Sequence, residues 1–191
     1  MPYVYAVTEA RDRALQPPLY EVDRGRLAAV VADHATPEPT PDSLWRHEEI
    51  VESLMADGPV LPMRFGSTTD DVEDLLDRRH DALIAGLERV RGAVELGVRV
   101  VGAVGESPPA SGTEYLRRRA AIVALRRRIH EPLAALSRAA LELDRHGSVG
   151  AYLVDESAVE RFHATVDELE VALGVTLACT GPWPPYSFPP S

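Results

Sequence analysis

The sequence contains no lysine: all 20 of its basic residues are arginine, set against 30 acidic residues for a formal net charge of −10. Such a balance repels phosphate backbones at long range and argues against a nucleic-acid partner. Cysteine is almost as scarce. With Cys179 alone, an intrachain disulfide and an all-thiolate metal site are both excluded, and a reducing compartment suits the chain. No apolar run approaches the roughly 20 residues of a bilayer-spanning helix. The opening Met1-Pro2-Tyr3-Val4-Tyr5-Ala6-Val7 has no basic residue ahead of a short apolar stretch, so it reads as a first strand and not as a secretory leader. A cytoplasmic location is expected. Catalytic signatures are missing as well: Gly66-Ser67-Thr68 and Gly150-Ala151-Tyr152 match neither a nucleophile elbow nor a phosphate-binding loop.

What is present suffices for a real core. The chain has 191 residues, 45% of them hydrophobic, which allows one compact domain or two small ones. Residues 3–7 alternate, with Tyr3, Tyr5 and Val7 expected on one face and Val4 and Ala6 on the other. Leu19–Val22 and Leu27–Val31 flank Asp23-Arg24-Gly25-Arg26, which predicts a hairpin with glycine at a positive φ. A proline-punctuated loop over 35–41 leads to a helix capped by Asp42 or Ser43, striped by Leu44, His47, Val51 and Leu54, and ended by Gly58. Pro59–Met63 reads as a short strand. Thr68 or Thr69 then caps a second helix, with Val72, Leu76, Leu83, Leu87 and Val90 as its apolar stripe.

The second half repeats the strand–helix theme. Leu96–Val104 is expected as a strand with a bulge near Val101-Gly102, and Ser107–Gly112 as a loop. Ser111 and Glu114 form a capping box for a long helix striped at Tyr115, Ile122, Leu125, Ile129, Leu133, Leu136 and Leu143 and stopped by Gly147. Pro132 inside it predicts a kink or a break near Glu131. A strand over Ser148–Val154 follows, then a helix opened by a Ser157/Glu160 capping box and closed by Gly174, then a strand over Val175–Thr180. This β-α-β-α-β pattern is compatible with a ferredoxin-like sheet covered by helices on one side.

Several polar groupings invite chemistry and fit plainer roles better. His47-Glu48 matches half of a zinc-protease motif, but Val51 stands where the second histidine belongs. His47 lies on the apolar stripe and reads as a hydrogen-bonded core histidine. Asp70, Asp74 and Asp77 share a helical face but lack a calcium-loop pattern, and acids at a helix start complement its dipole. The runs Arg117–Arg119 and Arg126–Arg128 have centres nine residues apart, on opposite sides of a helix, so a solvated or salt-bridged surface is expected. Neither cofactor nor metal is expected.

Two segments stand apart from this layout: Val60-Leu61-Pro62-Met63-Arg64-Phe65-Gly66, entered from the His47-Glu48 helix, and Gly181-Pro182-Trp183-Pro184-Pro185-Tyr186-Ser187-Phe188. With the tyrosine-rich opening strand, they make the chain resemble the GvpF/GvpL gas-vesicle family across almost its whole length. The resemblance implies an α+β protein with an N-terminal α/β domain over residues 1–92. Residues 93–191 would form a C-terminal ferredoxin-like domain, helices on a mainly antiparallel sheet, ending in a proline- and aromatic-rich tail. It also implies a non-catalytic accessory role in gas vesicle assembly, with the small, very hydrophobic shell protein and other accessory proteins as partners, and with no membrane or nucleic acid. The alternative is a small-molecule-binding regulatory module of ferredoxin-like type.

The residues in these two segments carry two readings. Phe65 fills a core, Gly66 permits a turn and Arg64 pairs with a local acid; or Arg64 and Phe65 lie at the domain junction and face a partner, as arginine and aromatics do at interface hot spots. Trp183, Tyr186 and Phe188, held in a proline-stiffened segment, either pack onto the body or meet a partner at low entropic cost.

Overall fold

The computed structural model describes residues 1–33, 36–102, 111–143 and 148–190. They form two compact units, Met1–Ala93 with Trp183–Ser191, and Val94–Pro182. The tail, expected with the C-terminal domain, therefore folds with the first unit. The end of the fifth strand at Val104, the loop from Ser107, the Gly147 helix stop and the loop start at Ala35 lie outside the described residues.

The first unit is built on strands β1 (Tyr3–Glu9), β2 (Leu19–Arg24), β3 (Leu27–Ala32) and β4 (Val60–Pro62), in the sheet order β2-β3-β1-β4. All the pairings are antiparallel. Gly25, at φ +62°, turns the chain between β2 and β3, a conformation that needs no Cβ penalty. The central strands β1 and β3 are buried along almost their whole length, because helices cover both faces. Val60 packs with Val51 and Leu54 of α1 (Pro41–Met55). The next residue, Leu61, meets Gly86 of α3 (His80–Val90) from the other side. Alternation along a strand delivers successive side chains to opposite layers.

A register shift between Val4 and Ala6 inserts Tyr5 as an extra residue opposite β3. The simple alternation is broken there. Tyr3, Tyr5 and Ala6 share the α1-facing cluster, where strict period two had placed Val7 in the set with the tyrosines.

The helices also differ from expectation in their ends. Thr40 caps α1 reciprocally with Ser43, and Pro41 takes the first turn, where its missing N–H costs nothing. Leu44 is 45% exposed and is not part of the core stripe. The single helix expected after Thr69 is two helices, α2 (Val72–Arg78), capped by the Asp71 side chain, and α3, which changes direction at Arg79. Glu9 at the end of β1 accepts from Arg91 at 2.7 Å and Arg11 at 2.9 Å. These two guanidinium groups hold its carboxyl down to about 2.

The second unit contains β5 (Ala93–Val101), α4 (Gly112–Ala134), β6 (Ala139–Glu142), β7 (Ser148–Asp155), α5 (Val159–Leu173) and β8 (Thr176–Trp183). Its sheet order β6-β7-β5-β8 is the second-third-first-fourth order of a βαββαβ unit, a ferredoxin-like fold. Sequence periodicity had run one helix through to Leu143. The chain instead leaves the helix two residues after Pro132 and forms β6, without which the sheet would have three strands. β5 starts at Ala93, three residues before its expected beginning, and ends at Val101, with Gly102 at φ +93°. Ser157 lies in a 3-10 turn over Glu156–Ala158 and makes no cap. Gly174 closes α5 in the left-handed region at φ +63°.

The core of this unit joins Leu96 and Val98 of β5, Ile129 and Leu133 of α4, Tyr152 and Val154 of β7, and Phe162 and Val166 of α5. The Tyr152 hydroxyl lies 3.0 Å from His130 Nδ1. Gly150 is required beside it, because an added Cβ would stand 2.8 Å from the Leu141 carbonyl oxygen of the neighbouring strand and 2.9 Å from the Tyr152 hydroxyl. Replacing Gly150 by alanine is expected to destabilise the unit by about 1–3 kcal/mol, the usual cost of overpacking, measured by urea denaturation.

Candidate functional site

The first family-like segment lies where β4 pairs with β1. The pairing runs from Thr8 to Ala6, continues with Met63 N–H donating to the Tyr5 carbonyl at 2.8 Å, and resumes where Val4 N–H donates to the Ser67 carbonyl at 2.9 Å. Arg64, Phe65 and Gly66 leave the ladder between these points. Their loop is closed by a 3.0 Å bond from Ser67 N–H to the Arg64 carbonyl, and Gly66 takes φ +88°, a value that favours glycine.

Beneath this loop sits His47, only 4% exposed. Its Nε2 lies 3.0 Å from the Met63 carbonyl oxygen and its Nδ1 2.9 Å from the Tyr3 hydroxyl. A carbonyl accepts only, so Nε2 carries the proton and the neutral ring accepts from Tyr3 at Nδ1. The Tyr3 oxygen in turn accepts the Gly66 N–H at 3.1 Å. One directional chain thus joins β1, α1 and the loop. Burial lowers the His47 pKa more than the Met63 carbonyl raises it, and burial likewise raises the Tyr3 hydroxyl. Rings complete the enclosure: Tyr5 stacks on His47 with centroids 5.2 Å apart, and Phe65 meets His47 edge-on at 5.7 Å and Tyr3 at 6.1 Å.

The second segment reaches the same cluster. The Tyr186 ring lies 6.4 Å from His47, and its hydroxyl is raised first by burial and then by the Glu48 charge. Pro184, Pro185 and Phe188 are buried. Arg89 of α3 donates to the Phe188 carbonyl at 2.7 Å and the Pro189 carbonyl at 2.8 Å, and Arg79 donates to the Pro190 carbonyl at 3.0 Å. A Cβ on Gly86 would stand 3.0 Å from Pro190 Cβ, so the tail runs over a bare stretch of α3.

Of the six residues singled out in the sequence, four face inward. Phe65, Gly66 and Tyr186 are half-buried around His47, and Phe188 is buried. Arg64 and Trp183 face outward, Trp183 at 38% exposure. Contrary to the expected local ion pair, Arg64 makes none among the described residues. Sequence reading missed Arg79, Arg89 and Gly86, which hold the tail, and the hydroxyl role of Tyr3. An arginine that binds a carbonyl a hundred residues away leaves no local pattern; the paired tyrosines of β1 were the one available signal.

Members of the remaining groupings have structural partners. Asp77 accepts from Arg24 at 3.0 Å and Asp74 from Arg78 at 2.7 Å. Arg118 pairs with Glu114 and Arg127 with Glu131 along α4. Burial pushes the Cys179 thiol up to about 11, leaving it a poor nucleophile near neutrality. His47 has both ring nitrogens engaged and is sealed from solvent, which suits it to holding a fold and not to moving protons. A cleft of about 340 Å³ in the first unit is lined by Tyr5, Gln16, Pro17, Leu19, Arg46 and Ile50, among others.

Both segments thus place a ring beside His47. Residues 2–126 and 113–190 match the family described as gas vesicle synthesis protein GvpL/GvpF. The chain belongs to that family. It is 28% identical over 206 residues to gas vesicle protein F1 of Halobacterium salinarum, covering 97% of this chain and 91% of that protein. It is 32% identical over 183 residues to gas vesicle protein L of a Streptomyces species, covering 77% of this chain and 68% of that protein. The crystal structure of GvpF from an Anabaena species superposes with a TM-score of 0.77 at 16% identity, covering 98% of this chain and 94% of that one. This likeness shows a shared fold. A gas-vesicle-related role follows from the family, and no described helix is long and apolar enough to cross a membrane.

In this GvpL/GvpF chain, replacing Tyr3 by phenylalanine strands His47 Nδ1 and the Gly66 N–H without partners. A loss of about 1–3 kcal/mol is expected, read by urea denaturation. Acid should act on the same centre. The folded-state pKa of His47 is lowered, so as pH falls below about 6.5 the unfolded chain takes up a proton that the folded chain refuses. Stability is expected to decline through that window down to the folded value. Melting temperatures from pH 7.5 to 5.5 should show a shallower decline for His47→Gln than for wild type.

Proposed function

We propose that this chain is a non-catalytic assembly factor that binds the hydrophobic gas vesicle shell protein and supports vesicle formation in the cytoplasm, together with other accessory proteins. The observation that carries this reading is the contrast at the His47 cluster: a rigid interior of hydrogen-bonded rings, with Arg64 and Trp183 of the two segments left outside it. Arginine and tryptophan dominate interface hot spots, and residues held on a stiff base bind with less entropy to lose. Pro182, near the end of β8, lies on an edge strand, where proline blocks unwanted strand pairing. A free shell protein aggregates through exposed apolar surface and open strand edges. An acidic carrier of net charge −10 that covers such surface keeps the pair soluble.

The test is capture of shell protein by the purified chain. Arg64→Glu and Trp183→Ala, matched for stability with wild type, are each expected to lower capture several-fold, on the order of the 1–2 kcal/mol a hot-spot side chain contributes. Undiminished capture by both variants sinks this surface as the binding face; absence of capture by wild type sinks the holding role. The small-molecule alternative has its own readout: a metabolite in the cleft beside Tyr5 would raise stability by about 2–3 kcal/mol at saturation.

A further inference from the structure

Two helices carry apolar groups on their outer faces with unmatched charge of opposite sign. On α1, Trp45 is 65% exposed. Around it at helical spacing stand Asp42, Glu49 and Glu52, three, four and seven residues away and all exposed. None of the three carboxylates has an ion-pair partner among the described residues. A tryptophan ringed by free carboxylates attracts guanidinium groups twice, by charge and by its ring face.

The amino-terminal half of α4 is the counterpart. Its 23 residues span about 35 Å at 1.5 Å each, yet the buried residues are Ile129 and Leu133, both in the last third. Upstream, Leu116 is 65% and Val123 58% exposed. Beside them, on the side toward Arg117 and Arg128, Ala120 and Ala124, also exposed, leave a shallow floor. The far wall is basic. Arg117 and Arg128 are eleven residues apart, which is three turns and brings them within about 20° of each other at 100° per residue. Opposed as the centres of the two arginine runs are, these outer members share a face. Both are exposed, and neither has an acidic partner among the described residues.

We infer that the chain associates with a second copy of itself through these faces, Trp45 of one molecule seating on the Ala120–Ala124 floor of the next. Arg117 and Arg128 then face Glu49 and Glu52, with Asp42 beside them. Two copies of the α4 face would set arginine against arginine, and two α1 faces carboxylate against carboxylate, so α1 of one copy must meet α4 of the other. The acidic, tryptophan-bearing helix that α4 needs is supplied by the chain's own α1.

Sedimentation velocity on the full chain, over roughly 1–100 μM, the range of a modest interface, tests this. Wild type is expected to shift to larger species with concentration. Glu49→Arg with Glu52→Arg, and separately Arg117→Glu with Arg128→Glu, should each weaken association about tenfold or more. An equimolar mixture of these two variants restores opposite charge across the contact and should associate again. The mixture rules out misfolding as the cause of any loss. Wild type that stays monomeric throughout overturns the inference. So does association untouched by either reversal, or a mixture that remains dissociated.

Discussion

A buried imidazole has two nitrogens to satisfy, and in this protein the way they are satisfied organises the first unit. His47 receives the Tyr3 hydroxyl on one side and donates to the Met63 carbonyl on the other. Each bond pins a different segment, β1 and the loop after β4, to helix α1. Leaving either nitrogen unpaired would cost more than the bond itself contributes, because no water replaces the lost partner. The loop of Arg64, Phe65 and Gly66 is therefore fixed from below: its glycine N–H ends the hydrogen-bond chain on Tyr3, and its phenylalanine closes the ring cluster.

The tail depends on this arrangement and extends it. Proline at four of the residues from 182 to 189 removes backbone donors, so the segment satisfies few carbonyls by itself. Arg79 and Arg89 supply those donors from α3. Gly86 keeps the helix surface low enough for Pro190 to approach. The second unit uses a related device, with the Tyr152 hydroxyl on His130 Nδ1 at 3.0 Å. In both units a tyrosine spans from core to polar partner, giving large apolar burial with one directional bond.

Charge is distributed by the same economy of partners. Much of the arginine is committed: to carboxylates at Glu9, Asp77 and Glu131, or to carbonyls of the tail and of Leu143. Among the charges left unmatched, carboxylates stand beside Trp45 on the outer face of α1 and Arg117 and Arg128 on the outer half of α4. Surface ion pairs inside one chain contribute little to stability, whereas unmatched charge beside exposed apolar side chains shapes association.

Much of this was legible in the residues themselves. Period-two strands, the Gly25 turn, the His47-Val51-Leu54 stripe and the Gly174 stop follow from local geometry, and the two unusual segments marked the family. Other features depend on groups distant in sequence. β6 was hidden because Leu136 and Leu143 continue a helical spacing, and only pairing with β7 makes Ala139–Glu142 a strand. The Tyr5 bulge is set by register against β3, which a single strand's pattern does not contain. Of the six singled-out residues, sequence alone told which were unusual; packing decided that Phe65, Gly66, Tyr186 and Phe188 serve the interior and that Arg64 and Trp183 face outward. Local periodicity fixes which elements form, since it acts within a few residues. Which side chains are spent on the core depends on what the rest of the chain brings alongside, as Arg89 does for a carbonyl ninety-nine residues away.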